Sequence, residues 1–296
     1  YYLTSKGVST GVTIDKVAGS HGCPFNCKFC SFAVNPWGVK RCWAPRSVES
    51  IIREIEQIDA DLIFFVDDVF THQPDRVAEI CDDLIARGIR KHYVVNARLE
   101  IAKRPDVIKK MEQAGFLALL IGVESTQDAT LRSMGKGFNI DLVRRRFDVL
   151  RKSKMIINAY FIVGNIGETE EQMLSTAPFA RSLGVDLIHV SRLRNEPYSG
   201  LQELVEQTPG YHIDANGFVY SDDYSSQHIA DLRKQIDRQF HSPLHVTAVV
   251  SKLVRQLHWH VLAKGALTIP AFLGLLMATQ AQRKMEKRFA RPRKAA

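Results

Sequence analysis

An α/β fold, built as a partial (β/α)6 TIM-like barrel with a C-terminal helical appendage, is the architecture this sequence predicts. Three observations carry that expectation. Between residues 11 and 193, short apolar β-prone runs alternate with longer segments of helical period, the pattern of stacked βα units around a parallel sheet. After residue 194 the alternation stops and amphipathic helices follow. The chain has 296 residues and 45% hydrophobic content, enough to bury a full core. The expected organisation is a core domain over residues 1–205 and a mostly helical region with a basic tail over 206–296.

Taken in order, the strand candidates are VTIDKV (12–17), LIFFV (62–66), HYVVN (92–96), LALLIGV (117–123), IINAYFIV (156–163) and DLIHV (186–190). The first intervening helix has a buried stripe of Val48, Ile51, Ile52, Ile55 and Ile58, and the second one of Val77, Ile80, Cys81, Leu84 and Ile85. Further helices are expected over 105–114, 139–152 and 169–183, with Gly115 and Gly184 as stops. Six βα units suit a curved, open barrel better than a complete eightfold one. Then NEPYSG (195–200) and TPG (208–210) break the rhythm, and a hairpin turning at Asn216-Gly217 is expected. Two amphipathic helices follow, one carrying Ile229, Leu232, Ile236 and Phe240, the next running from Val246 to Val261.

The formal net charge is +8, but residues 281–296 hold seven Lys/Arg against one Glu, so that tail supplies +6 and the body is nearly neutral. No nucleic-acid partner is expected for the body. The apolar stretch 266–278 contains Pro270 and falls short of the about 20 residues that span a bilayer, so it reads as a packed helix. A membrane-surface contact aided by the basic tail is the lesser reading. Five unevenly placed cysteines without a signal peptide point to a reducing, cytoplasmic setting rather than a disulfide framework.

After the first strand, HGCPFNCKFC places Cys23, Cys27 and Cys30 in a C-x3-C-x2-C pattern. A 4Fe-4S cluster normally takes four thiolates, so three leave one iron open to an outside ligand. The mouth of a strand is also where parallel barrels carry their chemistry. A zinc site or a plain electron-transfer cluster would need a fourth ligand, His21 or Cys42. Cys42 and Cys81 otherwise read as structural, Cys81 from its place on an apolar helical stripe.

The run CPFNCKFC, with Phe29 inside it, resembles the signature of the radical S-adenosylmethionine (SAM) superfamily, and the likeness extends over residues 11–205. The resemblance implies a 4Fe-4S cluster on the three cysteines. It also implies SAM chelated to the open iron, and a 5'-deoxyadenosyl radical that abstracts hydrogen from a small organic substrate. A flavodoxin or ferredoxin-type protein would then donate the electron. IGVES (121–125) followed by MGKG (134–137) is similar to a family segment that places Glu124 and Ser125 toward the cofactor's ribose or amino group; Glu124 as a helix cap is the alternative. FIVGNIGET (161–169), with Gly164 and Ile166, is similar to the stretch that packs along the adenine, though Thr169 also suits a helix start.

VDDVF (66–70) departs from the Gly-Gly-Glu of many relatives; Asp67 meets the cofactor's ammonium or forms a solvated strand-end pair with Asp68. Arg98 pairs with the cofactor carboxylate or makes a surface ion pair. WGVKRCWAPRSVES (37–50) resembles the linker of cobalamin-binding radical SAM enzymes. HVSRLRNEPYSG (189–200) departs from the family's Pro-Gly-Thr-rich end of the sixth strand. The resemblance therefore implies a cobalamin-linked C-methyltransferase or oxidative cyclase acting on a tetrapyrrole, an isoprenoid or a similar metabolite. Cobalamin would come from an N-terminal domain that this chain does not contain, or the enzyme works without it, since no Asp-x-His-x-x-Gly corrinoid motif is present. The alternatives are a methylthiotransferase-like enzyme, for which no second three-cysteine domain is found, and a non-catalytic iron-sulfur or zinc module using Cys42.

Overall fold

The computed structural model describes residues 2–5, 8–31, 37, 39 and 42–265. The apolar stretch 266–278, the basic tail, and Lys40 and Arg41 of the linker lie outside the described residues. Strands β1 (Tyr2–Ser5) and β2 (Val8–Val17) come first, then the two-residue pair β3 (Ser20–His21) and β4 (Ala44–Pro45). Helix α1 (Val48–Gln57) completes the βα unit begun by β2, and three more units follow: β5 (Leu62–Phe65) with α2 (Pro74–Ala86), β6 (His92–Ala97) with α3 (Pro105–Ala114), and β7 (Phe116–Glu124) with α4 (Asp128–Ser133) and α5 (Ile140–Leu150). β8 (Ile156–Val163), α6 (Glu170–Leu174), α7 (Thr176–Leu183), β9 (Leu187–Arg192) and α8 (Leu201–Glu206) complete the barrel region. A hairpin of β10 (Tyr211–Ile213) and β11 (Val219–Ser221) leads into α9 (Ser226–Phe240) and α10 (Pro243–Val254).

The main sheet has the order β1-β2-β5-β6-β7-β8-β9. From β2 to β9 every pairing is parallel, giving the six-stranded curled half-barrel expected from the alternation. β1 adds an antiparallel edge strand that the sequence reading did not anticipate. Strand periodicity sorts the side chains of β8: Ile157, Ala159, Phe161 and Val163 are buried under the helices, while Asn158, Tyr160 and Ile162 are half-buried on the opposite, concave face. The main core collects Val48, Ile51, Ile52 and Ile55 of α1 and Val77, Ile80, Cys81 and Leu84 of α2 together with Phe65, Tyr93, Phe116 and Phe161. Ile58 is only partly buried against it, and Ile85, expected in the second stripe, is exposed in the last turn of α2. Ile229, Leu232, Ile236 and Phe240 of α9 belong to that same core.

The hairpin at Asn216-Gly217 is present, as β10 and β11 pair antiparallel. The helix expected over 169–183 divides at Ser175 into α6 and α7, and α4 and α8 are short helices that the sequence reading passed over. The helix expected from Val246 to Val261 stops at Val254, and a separate helical stretch covers 259–265. That last stretch crosses the floor of the barrel, at the N-terminal ends of the strands. The His258 N–H donates to His92 Nε2 at 3.1 Å, the two rings stack at 4.3 Å, and Lys264 Nζ lies 2.8 Å from both carboxylate oxygens of Asp61.

Candidate functional site

At the opposite end, where the strands finish, a cavity of about 350 Å³ opens, within the range of small-molecule sites. Its wall includes Asn96 from β6, Gly122 and Glu124 from β7, Tyr160 from β8, Ser191 and Arg192 from β9, and Phe29 from the cysteine loop.

The cysteine loop leaves β2 and is tied down on several sides. β3 and β4 close its ends as a two-residue antiparallel ladder. The Lys28 N–H donates to the Met134 carbonyl at 3.0 Å and the Cys30 N–H to the Cys27 carbonyl at 3.1 Å. Arg98 lays its guanidinium 3.6 Å above the Phe25 ring, with Nη1 4.0 Å from Cys27 Sγ and Nη2 3.2 Å from the Lys136 carbonyl. Its remaining donor pairs with Glu100. Arg98 thus braces the cysteine loop, and its ion-pair partner is Glu100.

None of the five cysteines is in a disulfide; Cys27 is buried and Cys23 and Cys30 half-buried, whereas Cys42 is exposed. Burial pushes the Cys23 thiol above its ordinary pKa, opposed by a hydrogen bond from the Phe25 N–H. Cys81 lies fully buried on α2, where burial drives its thiol up to about 12, the state of an inert packing residue. Among the described residues no three His, Cys, Asp or Glu side chains converge as a single ion such as zinc requires. A multinuclear cluster makes no such demand, because each thiolate meets a different iron. Three cysteines outside any disulfide, on one braced loop beside a cavity, therefore fit an iron-sulfur cluster.

The paired aspartates divide their work. Asp67 is 1% exposed and its carboxylate accepts from the Gly19 N–H at 2.7 Å and the Ser20 hydroxyl at 2.5 Å, locking the end of β2 to that of β5. Burial pushes the Asp67 carboxyl up, against those two bonds. Asp68 is the one that lines the cavity.

β7 ends in a bulge between Gly122 and Glu124, and Glu124 takes the left-handed backbone at φ +74°. Its carboxylate folds back over Gly122, where an added Cβ would sit 2.2 Å from Oε1, and Oε1 receives a 3.0 Å bond from Lys136 Nζ. Both ends of that pair are buried, at 5% and 10% side-chain exposure. Ser125 is buried and its hydroxyl accepts from the Gln127 N–H at 3.1 Å, at the entry to α4.

Gly164 has φ +77° and packs against Ile229 of α9, so near that a Cβ would meet Ile229 Cγ2 at 3.0 Å. Ile166 lies with Phe29, Leu193 and Leu201 in a small apolar cluster that borders a cleft of about 40 Å³. Thr169 caps α6 in a reciprocal box with Gln172. Glu168 is buried beneath this turn and accepts from the Asn165 backbone and side-chain N–H groups at 3.0 Å; burial lifts its carboxyl to about 7, against those bonds.

Sequence reading passed over Tyr160, Arg192 and Arg194. Tyr160 was findable from strand parity, since it sits two positions from Asn158 and Ile162 on the concave face. Its ring lies 5.1 Å from that of His189, the residue in register on β9. Burial, with Glu124 nearby, pushes the Tyr160 hydroxyl up.

A family model described as the Radical SAM superfamily matches residues 17–180. The anaerobic magnesium-protoporphyrin IX monomethyl ester cyclase of Rubrivivax gelatinosus is 27% identical over 206 residues, 68% of this chain and 36% of that protein. The hopanoid C-3 methylase of Methylococcus capsulatus is 31% identical over 169 residues, 47% of this chain and 32% of that protein. Among solved structures, the radical S-adenosylmethionine methyltransferase TsrM from Kitasatospora setae, with cobalamin and a 4Fe-4S cluster bound, superposes with a TM-score of 0.59 at 14% identity. That match covers 84% of this chain and 53% of that one. The chain thus spans about a third of the length of these two curated relatives.

Proposed function

Because this chain belongs to the radical SAM superfamily, we propose that Cys23, Cys27 and Cys30 hold a 4Fe-4S cluster at the mouth of the half-barrel and that the adjoining cavity receives SAM and a small organic substrate. When bound, the cluster supplies the electron that cleaves SAM to methionine and a 5'-deoxyadenosyl radical, which abstracts hydrogen from the substrate. The chain's own part is to hold, orient and enclose. Arg98 fixes the loop through Phe25 and keeps a cation beside Cys27. Asp68 and Glu124, both in the cavity wall, present carboxylates to the cofactor's ammonium and ribose hydroxyls. Asp67 acts from behind, by holding Gly19 and Ser20. Phe29 and Ile166 offer an apolar wall to the adenine, and the Gly164 turn lets α9 close behind it. A barrel that screens the radical from water limits side reactions.

The reaction assigned is a cobalamin-linked C-methylation or an oxidative cyclisation of a tetrapyrrole or isoprenoid-type metabolite. Its support is the kind of relative the chain matches, a tetrapyrrole cyclase and a hopanoid methylase. A flavodoxin or ferredoxin-type protein is the proposed electron source, and cobalamin would be bound by a domain other than this one. The observation that carries the reading is the placement of three cysteines outside any disulfide, on a braced loop whose Phe29 shares the cavity wall with Glu124.

Anaerobic reconstitution with iron and sulfide, followed by SAM and dithionite, tests it. Wild-type protein is expected to release 5'-deoxyadenosine, Cys27→Ala none, and Cys42→Ala as much as wild type. Wild-type yields from Cys27→Ala would sink the assignment, and loss of iron from Cys42→Ala alone would favour a binding module.

A further inference from the structure

We propose that Lys136 is a positioning residue: its ammonium fixes the Glu124 carboxylate on the cavity wall, and the backbone of its own loop sets that carboxylate in register with the three cysteines. The inference rests on the cofactor site proposed above and adds a residue to it.

The side-chain half begins with Glu124, whose left-handed backbone and bulge swing its carboxylate back over Gly122. An ionised carboxylate in that position loses water on most sides. Lys136 Nζ, itself buried, replaces part of that water with one bond to Oε1 at 3.0 Å, leaving Oε2 for a ligand in the cavity. Burying two charges in this way is poor economy for stability alone, since the desolvation of both opposes their attraction. What it secures is a carboxylate with one orientation. The rings of Phe138 and Phe29 lie 5.4 Å and 5.9 Å from Nζ and confine the ammonium further.

The backbone half concerns residues 134–138. The Met134 carbonyl accepts the Lys28 N–H at 3.0 Å. Gly135, at φ +70°, lies so close to the cysteine loop that a Cβ would stand 3.2 Å from the Asn26 carbonyl. The Lys136 carbonyl accepts from Arg98 Nη2 at 3.2 Å, while Nη1 of the same guanidinium reaches Cys27 Sγ. One backbone hydrogen bond, one close backbone approach and one bridge through the Arg98 guanidinium therefore join the backbone of this loop to the cysteine loop, and the Lys136 side chain joins it to Glu124.

The two halves are separable by substitution. Lys136→Met keeps every backbone link, so it is expected to take up iron as wild type does and to show the wild-type EPR spectrum of the reduced cluster without SAM. Its affinity for SAM should fall at least about tenfold, with the SAM-induced change in the EPR spectrum reduced to match, and Lys136→Arg should recover part of both. Gly135→Val should instead lose iron. Wild-type SAM affinity in Lys136→Met overturns the proposal, as does a loss of iron there that accounts for the loss of affinity. Wild-type protein that loads iron but gives no spectral response to SAM would mean that the cofactor reading fails. Positioning is then decided in the iron-free protein, by whether Glu124→Gln and Lys136→Met act non-additively on the urea midpoint; additivity rejects it.

Discussion

Gly122 is the residue where one added carbon does the most harm to the site. A Cβ there would stand 2.2 Å from the Glu124 carboxylate and 3.2 Å from the Lys136 ammonium. Gly122→Ala is therefore expected to weaken SAM binding by about tenfold or more while the reconstituted protein keeps its iron, which equilibrium binding and iron analysis check together. The sequence made this neighbourhood visible as IGVES followed by MGKG, but it could not show that the backbone turns left-handed at Glu124 or that Lys136 closes on it. Those features depend on a bulge, and a bulge shifts side-chain parity by one position without a marked change in residue type. The adjacent aspartates pose the same difficulty. Alternation fixes parity inside β5 but lapses just beyond Phe65, so Asp67 and Asp68 were indistinguishable in sequence, although one is tied to Gly19 and the other lines the cavity.

At the scale of single elements, helix ends follow local chemistry. The α3 helix stops at Gly115, whose φ of +96° and closeness to the Lys91 carbonyl, 2.4 Å from a would-be Cβ, leave no room for a side chain. Gly115→Ala is expected to destabilise the fold by more than about 1 kcal/mol, read from urea denaturation. Thr169→Ala removes the reciprocal cap of α6 and is expected to cost about 1 kcal/mol by the same measurement. The six parallel strands and the long helices were legible because each carries an unbroken apolar run or a sustained period, β5 by the four apolar residues LIFF. The equally short β1, YLTS, has no such run, and the six-residue α4 and α8 complete fewer than two helical turns. The break at Ser175 was hidden for another reason: an apolar stripe runs through Met173, Ala177 and Ala180 on both sides of it.

At the scale of the whole molecule, the floor of the barrel carries an acid-sensitive contact. Burial, with His258 and His260 nearby, pushes the His92 pKa down from 6.5 to about 4. Asp61, Lys264 and Arg90 are the other charged groups there. A neutral His92 accepts the His258 N–H, an interaction that protonation at Nε2 would abolish. The unfolded chain binds this proton first as the pH falls, so the contribution is complete above 6.5 and is lost progressively from 6.5 toward 4, by up to about 3 kcal/mol. His92→Gln should flatten the dependence of the urea midpoint on pH over that window; an unchanged slope would place the acid sensitivity elsewhere.

The bond from Lys264 to Asp61 spans 203 positions in the chain. During synthesis, the strands from β2 to β9 emerge from the ribosome with their lower rim uncovered, and the covering piece is made only after all of them. Unless synthesis pauses, the nascent barrel therefore spends several seconds, at about 5–20 residues per second, with His92 and Asp61 lacking their C-terminal partners. A chaperone or protease that reads incomplete barrels would find its signal at this rim, on the side of the molecule away from the cysteines.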